Sequence, residues 1–234
     1  ELDGDALEGA TYLHYCSNNT IRGTQFTGAP DVDVPLVADL SSDIASRPVD
    51  VARHALIYAG AQKNLGPSGV TAVIASPWTI ERSRAVHKLR RGGLPSMLNY
   101  ALQADKNSMF NTPNTWGIFV LERVLAWVED QGGPTIIDQR NRAKAARLYG
   151  ELDRTDFWTT PVRQDSRSNM NIVWRLSTEA LEKQFVSEAT AAGLLALKGH
   201  RDVGGIRASL YNAMPIEGVE SLVAFMGDFE RRHG

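Results

Sequence analysis

A lysine flanked by small residues is the first candidate for chemistry in this chain of 234 residues. Lys63 lies in the segment Tyr58–Gly69, after one apolar run and before another. The glycines of this segment would let a bulky ligand approach the backbone closely. By itself, an exposed lysine in a turn between two strands is the commoner explanation of such a pattern.

A carboxylate earlier in the chain strengthens the case. Asp39 closes the apolar run 34–39, which predicts a side chain at the carboxyl end of a buried strand, where α/β sheets bind ligands. Without Lys63, a turn or helix N-cap before Ser41 would explain Asp39 equally well. Together, a lysine that can form a Schiff base and a carboxylate that can keep a pyridine nitrogen protonated indicate pyridoxal phosphate as cofactor.

The elements that must position these residues follow from apolar periodicity. Runs bounded by Gly, Pro, Asn and Asp predict strands at 12–15, 34–40, 55–59 and 70–75. Helical patterns occupy 79–89, 96–104 and 115–131. This alternation predicts an α/β sheet with packed helices. We expect the apolar segment 116–121 to be enclosed and Gly132-Gly133-Pro134 to stop its helix.

The second half of the chain predicts a small α+β domain. Its pattern is helix 136–152, strand 170–176, helix 178–192, strand 205–210 and helix 216–232. In the last helix, an apolar stripe predicted to face the sheet consists of Val219, Leu222, Val223, Met226 and Phe229. We therefore expect two domains, 1–132 and 133–234.

Composition excludes several classes of function. A hydrophobic content of 43% excludes a disordered chain, and a net charge of -2 gives no global field for nucleic acid or an anionic membrane. Cys16 is the single cysteine, which excludes an intramolecular disulfide, and we expect it to be a buried small hydrophobe. The histidines show no zinc-ligand spacing. No apolar run approaches the roughly 18 residues of a membrane span. We expect a cytoplasmic protein without a metal centre.

Four motifs together resemble the phosphoserine aminotransferase family over essentially the whole chain: Asn18-Asn-Thr-Ile21, Ala61-Gln-Lys-Asn64, Phe110-Asn-Thr-Pro113 and Lys198–Ala208. The resemblance implies part of the large mixed-sheet α/β domain of a fold-type-I, pyridoxal-phosphate-dependent transferase, plus its small C-terminal α+β domain. It also implies a homodimer with active sites shared between subunits.

The resemblance assigns roles to the cofactor-binding residues. Lys63 would form the Schiff base, and Asp39 would pair with the pyridine nitrogen. Thr20 would bind the phenolate side of the cofactor and Gln62 its phosphate. Asn111 and Thr112 resemble the pair that reaches the phosphate in the other subunit.

The implied substrates are glutamate with 3-phosphohydroxypyruvate, and phosphoserine with 2-oxoglutarate, in serine biosynthesis. Family members often also act on a phosphorylated four-carbon analogue in vitamin B6 biosynthesis. By resemblance, Arg207 would hold the α-carboxylate, while His200 and Arg201 would face the phosphate or the side-chain carboxylate of glutamate. Guanidinium groups suit this task because they pair bidentately with both anions.

The resemblance leaves out an N-terminal portion of roughly a third of the family's length, which carries a phosphate-binding loop. We therefore expect these residues alone to fold poorly and to lack transaminase activity. Two alternatives stay open: another small fold-type-I enzyme, such as a serine-glyoxylate aminotransferase or a cysteine desulfurase, and an incomplete fragment that acts as a dimerisation or interaction module.

Overall fold

The computed structural model describes residues 7–234, which form two compact units. The first unit consists of the described residues up to Ser17 together with Gly28–Ser41 and Val49–Trp127. The second unit consists of Asn18–Thr27, Ser42–Pro48 and Val128–Gly234. The first six residues of the predicted domain 1–132 lie outside the described residues, and the boundary between 132 and 133 stays a prediction.

In chain order the strands are β1 (Leu13–Cys16), β2 (Asn18–Asn19), β3 (Thr24–Gln25), β4 (Leu36–Asp39), β5 (His54–Gly60), β6 (Thr71–Ala75), β7 (Asn171–Trp174) and β8 (Ile206–Ser209). The α-helices are α1 (Pro77–Leu89), α2 (Tyr100–Asp105), α3 (Thr115–Asp130), α4 (Gly133–Leu152), α5 (Glu179–Ala191) and α6 (Ile216–His233). Within residues 7–234, every helix is too short or too polar to span a membrane.

The first unit contains a four-stranded mixed sheet in the order β1-β4-β5-β6. β4 runs parallel to both β1 and β5, whereas β6 is antiparallel to β5. One face is buried through Leu36, Ala38, Ile57 and Ala59, each no more than 1% exposed. These residues share one face because they stand at alternate positions of β4 and β5, and successive side chains of a strand point to opposite faces.

Helix α1 begins where the sequence supplies the atoms that a helix N-terminus needs. The Ser76 hydroxyl accepts the backbone N–H of Thr79, and Pro77 occupies the first turn, where its missing N–H costs nothing. The Thr79 hydroxyl then donates to the carbonyl of Ala55, which ties α1 to β5 at an O–O distance of 2.6 Å.

The second unit packs α4, α5 and α6 against the antiparallel pair β7 and β8. The predicted stripe of α6 is buried in this core: Val219, Leu222, Val223, Met226 and Phe229. Trp174 is fully buried there, with its ring edge toward Phe185 at a centroid distance of 6.1 Å. The buried stripes of these helices and the two strands meet in one apolar cluster.

Two local expectations were wrong, and a third was confirmed. The first turns of α3 are not enclosed in this chain, since Trp116 is 70% and Phe119 51% exposed. Cys16 is exposed rather than buried, because its side chain alternates away from the packed face of the sheet. As predicted, α3 ends directly before Gly132-Gly133-Pro134; Gly132 has a φ of 99°, and Gly133 and Pro134 form the first turn of α4.

Candidate active site

Asp39 and the turn that contains Lys63 lie at the same edge of the sheet in the first unit. β4 and β5 are parallel neighbours, so their carboxyl ends coincide, with Asp39 paired to Tyr58. Asp39 is the last residue of β4, and the turn begins directly after Gly60, the last residue of β5. The backbone N–H of Gly60 donates to the Ser41 hydroxyl at 3.0 Å, which fixes the two strand ends together.

The Asp39 carboxylate is oriented by groups of its own unit. Its Oδ1 accepts the backbone N–H of Ser41 at 2.8 Å, and Tyr58 is its cross-strand neighbour on β5. Burial raises the pKa of Tyr58, and the negative charge of Asp39 raises it further. The Tyr58 hydroxyl therefore keeps its proton, and it lies 2.9 Å from the Nε2 of His14 on β1.

A tight turn carries Lys63. The N–H of Leu65 donates to the carbonyl of Ala61 at 3.0 Å, and Lys63 is half-buried between them. Gln62 is exposed, and its side chain lies over Gly60, where a Cβ would come within 2.5 Å of the Gln62 Oε1. Glycine at position 60 thus leaves the space into which Gln62 folds.

Asn111 and Thr112 lie exposed in the loop between α2 and α3. The Asn111 amide is 3.8 Å from the sulfur of Met97. The loop ends at Asn114, whose Oδ1 accepts the N–H of Gly117 at 3.1 Å at the start of α3. Their assignment to a phosphate in another subunit stays a prediction.

Thr20 belongs to the second unit, in the turn of the β2–β3 hairpin. The Asn19 Oδ1 accepts the N–H groups of Ile21 and Arg22 at 3.1 and 2.9 Å, which closes the turn. Gly23 has a φ of 71°, and a Cβ there would lie 2.8 Å from Val173 of β7. The hairpin therefore packs against β7 only with glycine at this position.

A buried amide network anchors the start of this hairpin. Asn18 is 1% exposed, and its amide donates to the Ser42 hydroxyl and to Asn171 Oδ1, each at 2.8 Å. Its own Oδ1 accepts the Ser168 hydroxyl. Asn171 in turn donates to the Ser209 hydroxyl at 3.0 Å, so the network continues into β8. Because buried amides must be satisfied, this network holds the hairpin in one position.

Arg207 on β8 lies in a cavity of about 260 Å³ in the second unit. Its Nη1 donates to the Thr20 carbonyl at 3.3 Å, while its Nε is buried without a hydrogen-bond partner among the described residues. Arg22, Arg175 and His200 also line the cavity, and none of the described residues that line it is acidic. An anion that accepts from the Arg207 guanidinium would satisfy this buried donor.

The loop before β8 gives His200 and Arg201 different surroundings. Gly199 donates its N–H to the Gly205 carbonyl at 2.9 Å, and His200 shares the Arg207 cavity. The Arg201 side chain is 91% exposed, lies 3.6 Å from Asp202, and lines a larger, adjoining depression of about 830 Å³ along α5, which His200 also lines. The structure therefore brings His200 and Arg207 together and leaves Arg201 outside their cavity.

Three contributors were not predicted from the sequence as site residues: Tyr58, Arg22 and Arg175. Tyr58 meets Asp39 only through the strand register, which no local pattern reveals. Arg175 reaches the cavity although it also pairs with Glu182 at 2.5 Å. Within residues 7–234, no cluster of three or more His, Cys, Asp and Glu side chains could hold a metal ion.

Comparison with known proteins shows the family of this chain. The profile of the family described as Aminotransferase class-V matches residues 5–222. Phosphoserine aminotransferase from Laribacter hongkongensis is 53% identical over 226 residues, which cover 96% of this chain and 61% of that protein. The enzyme of the same name from Pseudomonas aeruginosa is 51% identical with the same coverage. The chain thus spans about 61% of the length of these curated relatives.

Solved structures give the same result. Phosphoserine aminotransferase from Bacillus circulans subsp. alkalophilus superimposes with a TM-score of 0.87 at 49% identity, covering 95% of this chain and 60% of that one. The pyridoxal-phosphate-bound enzyme from Trichomonas vaginalis superimposes with a TM-score of 0.81 at 33% identity, covering 92% and 60%. These matches confirm both the predicted fold class and the predicted resemblance. The chain belongs to the class-V aminotransferase family.

Proposed function

We propose that the protein is a phosphoserine transaminase, which transfers an amino group between L-glutamate and 3-phosphohydroxypyruvate to give O-phospho-L-serine and 2-oxoglutarate. The similarity to phosphoserine aminotransferases at 53 and 51% identity supports this proposal. The observation that carries it is the cationic cavity around Arg207, where a buried guanidinium N–H has no partner among the described residues. Such a cavity suits a substrate with an anionic group at each end.

The residues of the first unit fit pyridoxal phosphate as cofactor. Asp39 offers an ordered carboxylate for the ring nitrogen, and Lys63 offers a primary amine at the same edge of the sheet. When bound, the cofactor supplies an electron sink for the negative charge left on the substrate carbon after proton removal. The amine of Lys63 would attach the cofactor and would also hold the proton taken from that carbon.

The residues of the second unit would bind and orient the substrate. Arg207 would pair with the α-carboxylate through its buried guanidinium, and His200 would stand beside it in the cavity. The exposed Arg201 would contact the phosphate, or the side-chain carboxylate of glutamate. Thr20, whose carbonyl already accepts from Arg207, would bind the phenolate side of the cofactor.

The cofactor phosphate would be bound by residues of two subunits. A homodimer would bring Asn111 and Thr112 to the cofactor phosphate of the other subunit, with Gln62 binding the phosphate from its own side. The phosphorylated four-carbon analogue of vitamin B6 biosynthesis would be a second substrate. A cytoplasmic location suits these small metabolites.

Covalent labelling tests the cofactor. After incubation with pyridoxal phosphate and borohydride reduction, peptide mapping should find the reduced adduct on Lys63, because reduction makes the lysine linkage permanent. Lys63→Ala should carry no adduct there. An unmodified Lys63 in a folded wild-type sample would refute the proposal.

Substrate preference tests the anion site. With 2-oxoglutarate as acceptor, we expect turnover of phosphoserine but not of serine. Arg201→Ala should lower kcat/KM for phosphoserine on the order of tenfold to a hundredfold, the range for losing a charged hydrogen bond. Arg163→Ala, which removes another highly exposed arginine of the same unit, is the matched control and should leave kcat/KM for phosphoserine unchanged. Equal activity with serine would favour another fold-type-I enzyme.

A further inference from the structure

Arg175 directly follows β7, and its side chain joins two parts of the second unit. Its backbone is fixed by a bridge to Thr159, with N–O distances of 2.8 and 3.0 Å in the two directions. The side-chain Nε donates to the Glu182 Oε1 at 2.5 Å, and the Nη1 donates to the Val203 carbonyl at 3.1 Å. The first of these contacts reaches α5, and the second reaches the loop 198–205 before β8. Arg175 therefore links α5 to this loop.

Glu182 holds one side of the Arg175 guanidinium. It is 6% exposed in the first turn of α5, and its Oε1 also accepts the N–H of Leu176 at 3.3 Å. A buried carboxylate needs such donors, and the guanidinium supplies the opposite charge as well. Because the guanidinium is planar and rigid, fixing its Nε at Glu182 also fixes the direction in which its Nη1 donates.

The loop 198–205 turns tightly beneath the Arg175 side chain. Gly205 has a φ of 73°, and a Cβ there would lie 2.7 Å from the Arg175 Cδ, so only glycine fits this turn. The N–H of Val203 donates to the His200 carbonyl at 3.0 Å. The residue whose carbonyl binds Arg175 thus belongs to the same turn as His200.

We propose that Arg175 is a positioning residue for substrate binding. Held by Glu182, Arg175 keeps the loop 198–205 in one conformation, and this conformation places His200 beside Arg207. The inference rests on the proposed function, because it concerns the same anion-binding cavity, which Arg175 also lines. A loop that is already ordered loses less conformational entropy when the substrate binds, so Arg175 acts on binding rather than on the chemical step.

Steady-state kinetics of the cofactor-loaded protein, with phosphoserine as donor and 2-oxoglutarate as acceptor, test this role. Arg175→Met keeps an unbranched side chain but removes both hydrogen bonds. We therefore expect the KM for phosphoserine to rise on the order of threefold to tenfold. We expect kcat to change by less than about twofold, because the amine of Lys63 that would carry the proton is untouched.

Arg154 supplies a matched control within the same unit. Its side chain is 49% exposed against 40% for Arg175, and it also pairs with a more buried glutamate, Glu151, at 2.8 Å. It lines a depression that contains neither His200 nor Arg207. Arg154→Met thus removes a comparable ion pair and should leave the KM for phosphoserine at the wild-type value.

Glu182 is tested by a conservative pair of variants. Glu182→Ala leaves the Arg175 guanidinium without its anchor and should raise the KM for phosphoserine as Arg175→Met does. The amide oxygen of Glu182→Gln can still accept from Arg175 and from the N–H of Leu176, so this variant should restore KM to within about twofold of the wild type. The pair also carries the test if Arg175→Met does not fold.

Hydrogen exchange gives a second readout that does not depend on turnover. In Arg175→Met and Glu182→Ala, the amides of the loop 198–205 should exchange faster than in the wild type, because the loop opens more often. In Arg154→Met they should exchange at the wild-type rate. An unchanged KM for phosphoserine in both Arg175→Met and Glu182→Ala, at either exchange rate, would overturn the inference and leave the proposed function intact. A cofactor-loaded wild type that does not turn over phosphoserine would overturn both.

Discussion

The two units of this chain bury apolar surface very differently. In the second unit, the rings of Trp158, Trp174, Phe185 and Phe229 lie in one cluster, each no more than 4% exposed. Among its described residues, the large exposed apolar side chains are Phe26, Leu195 and Met214. The second unit thus has a complete core of its own.

The first unit has a core on one face of its sheet. On the opposite face His14 and Cys16 are exposed, and α3 presents Trp116 and Phe119 to solvent. The groups that would hold the cofactor, Asp39 and Lys63, belong to this less completely packed unit. Apolar burial supplies the main favourable free energy of folding, so most of this stabilisation comes from the second unit, whereas the proposed partners of the cofactor, Asp39 and Lys63, lie in the first.

The largest expected effect comes from removing a buried ring from the second unit, compared with removing an exposed ring from the first. Phe229→Ala removes a fully buried ring and should lower the free energy of opening of the second unit by about 3–5 kcal/mol. Phe119→Ala removes a ring that is 51% exposed and should cost less than about 1 kcal/mol in the first. Hydrogen exchange resolved by peptide measures each unit separately. Equal losses of opening free energy in the two units would contradict the difference in apolar burial between them.

A smaller effect concerns a buried cation in the second unit. Lys144 is 3% exposed, and its Nζ donates to the carbonyl oxygens of Leu210, Tyr211 and Met214 at 3.1, 2.9 and 3.0 Å. Burial lowers the pKa of Lys144 from its ordinary 10.5 to about 8. Between these two values the unfolded chain binds more protons than the folded one, so the free energy of unfolding rises with pH.

Because of Lys144, the free energy of unfolding should therefore rise by at most about 3 kcal/mol between pH 8 and pH 10.5. Urea unfolding at several pH values measures it. Lys144→Met should lack this rise, whereas Lys183→Met, which removes an exposed lysine on α5, should retain it. A wild type and a Lys144→Met variant with parallel pH profiles would refute the assignment.

The smallest effects come from two glycines of the second unit with opposite expected signs. A Cβ on Gly199 would lie 2.0 Å from the Gly204 carbonyl oxygen, so Gly199→Ala must open the loop that carries His200, at a cost of about 1–3 kcal/mol. Gly150 is exposed near the end of α4 with nothing within 4 Å of its Cβ position, and Gly150→Ala should stabilise by about 0.5–1 kcal/mol. Thermal unfolding of both variants checks the signs.

The sequence alone determined the elements and much of the packing. Apolar periodicity predicted every strand of four or more residues and every α-helix to within a few residues of its observed ends, and it predicted the buried stripe of α6. These features depend on neighbours within a few positions along the chain, so they are visible in one sequence. The two-residue strands β2 and β3 were not predicted, because they are too short for periodicity to show.

Only the tertiary structure decided which functional side chains meet. Strand register placed Asp39 beside Tyr58. A β-bulge in the same strand pair puts the Tyr58–His14 and Tyr15–His54 hydrogen bonds on opposite faces of the sheet. The loop before β8 placed His200 beside Arg207 and left Arg201 outside their cavity, although Arg201 directly follows His200 in sequence. The exposure of Trp116 and Phe119 on α3 likewise depends on which distant segments pack against that helix. Such contacts depend on distant segments, and no local pattern of residues records them.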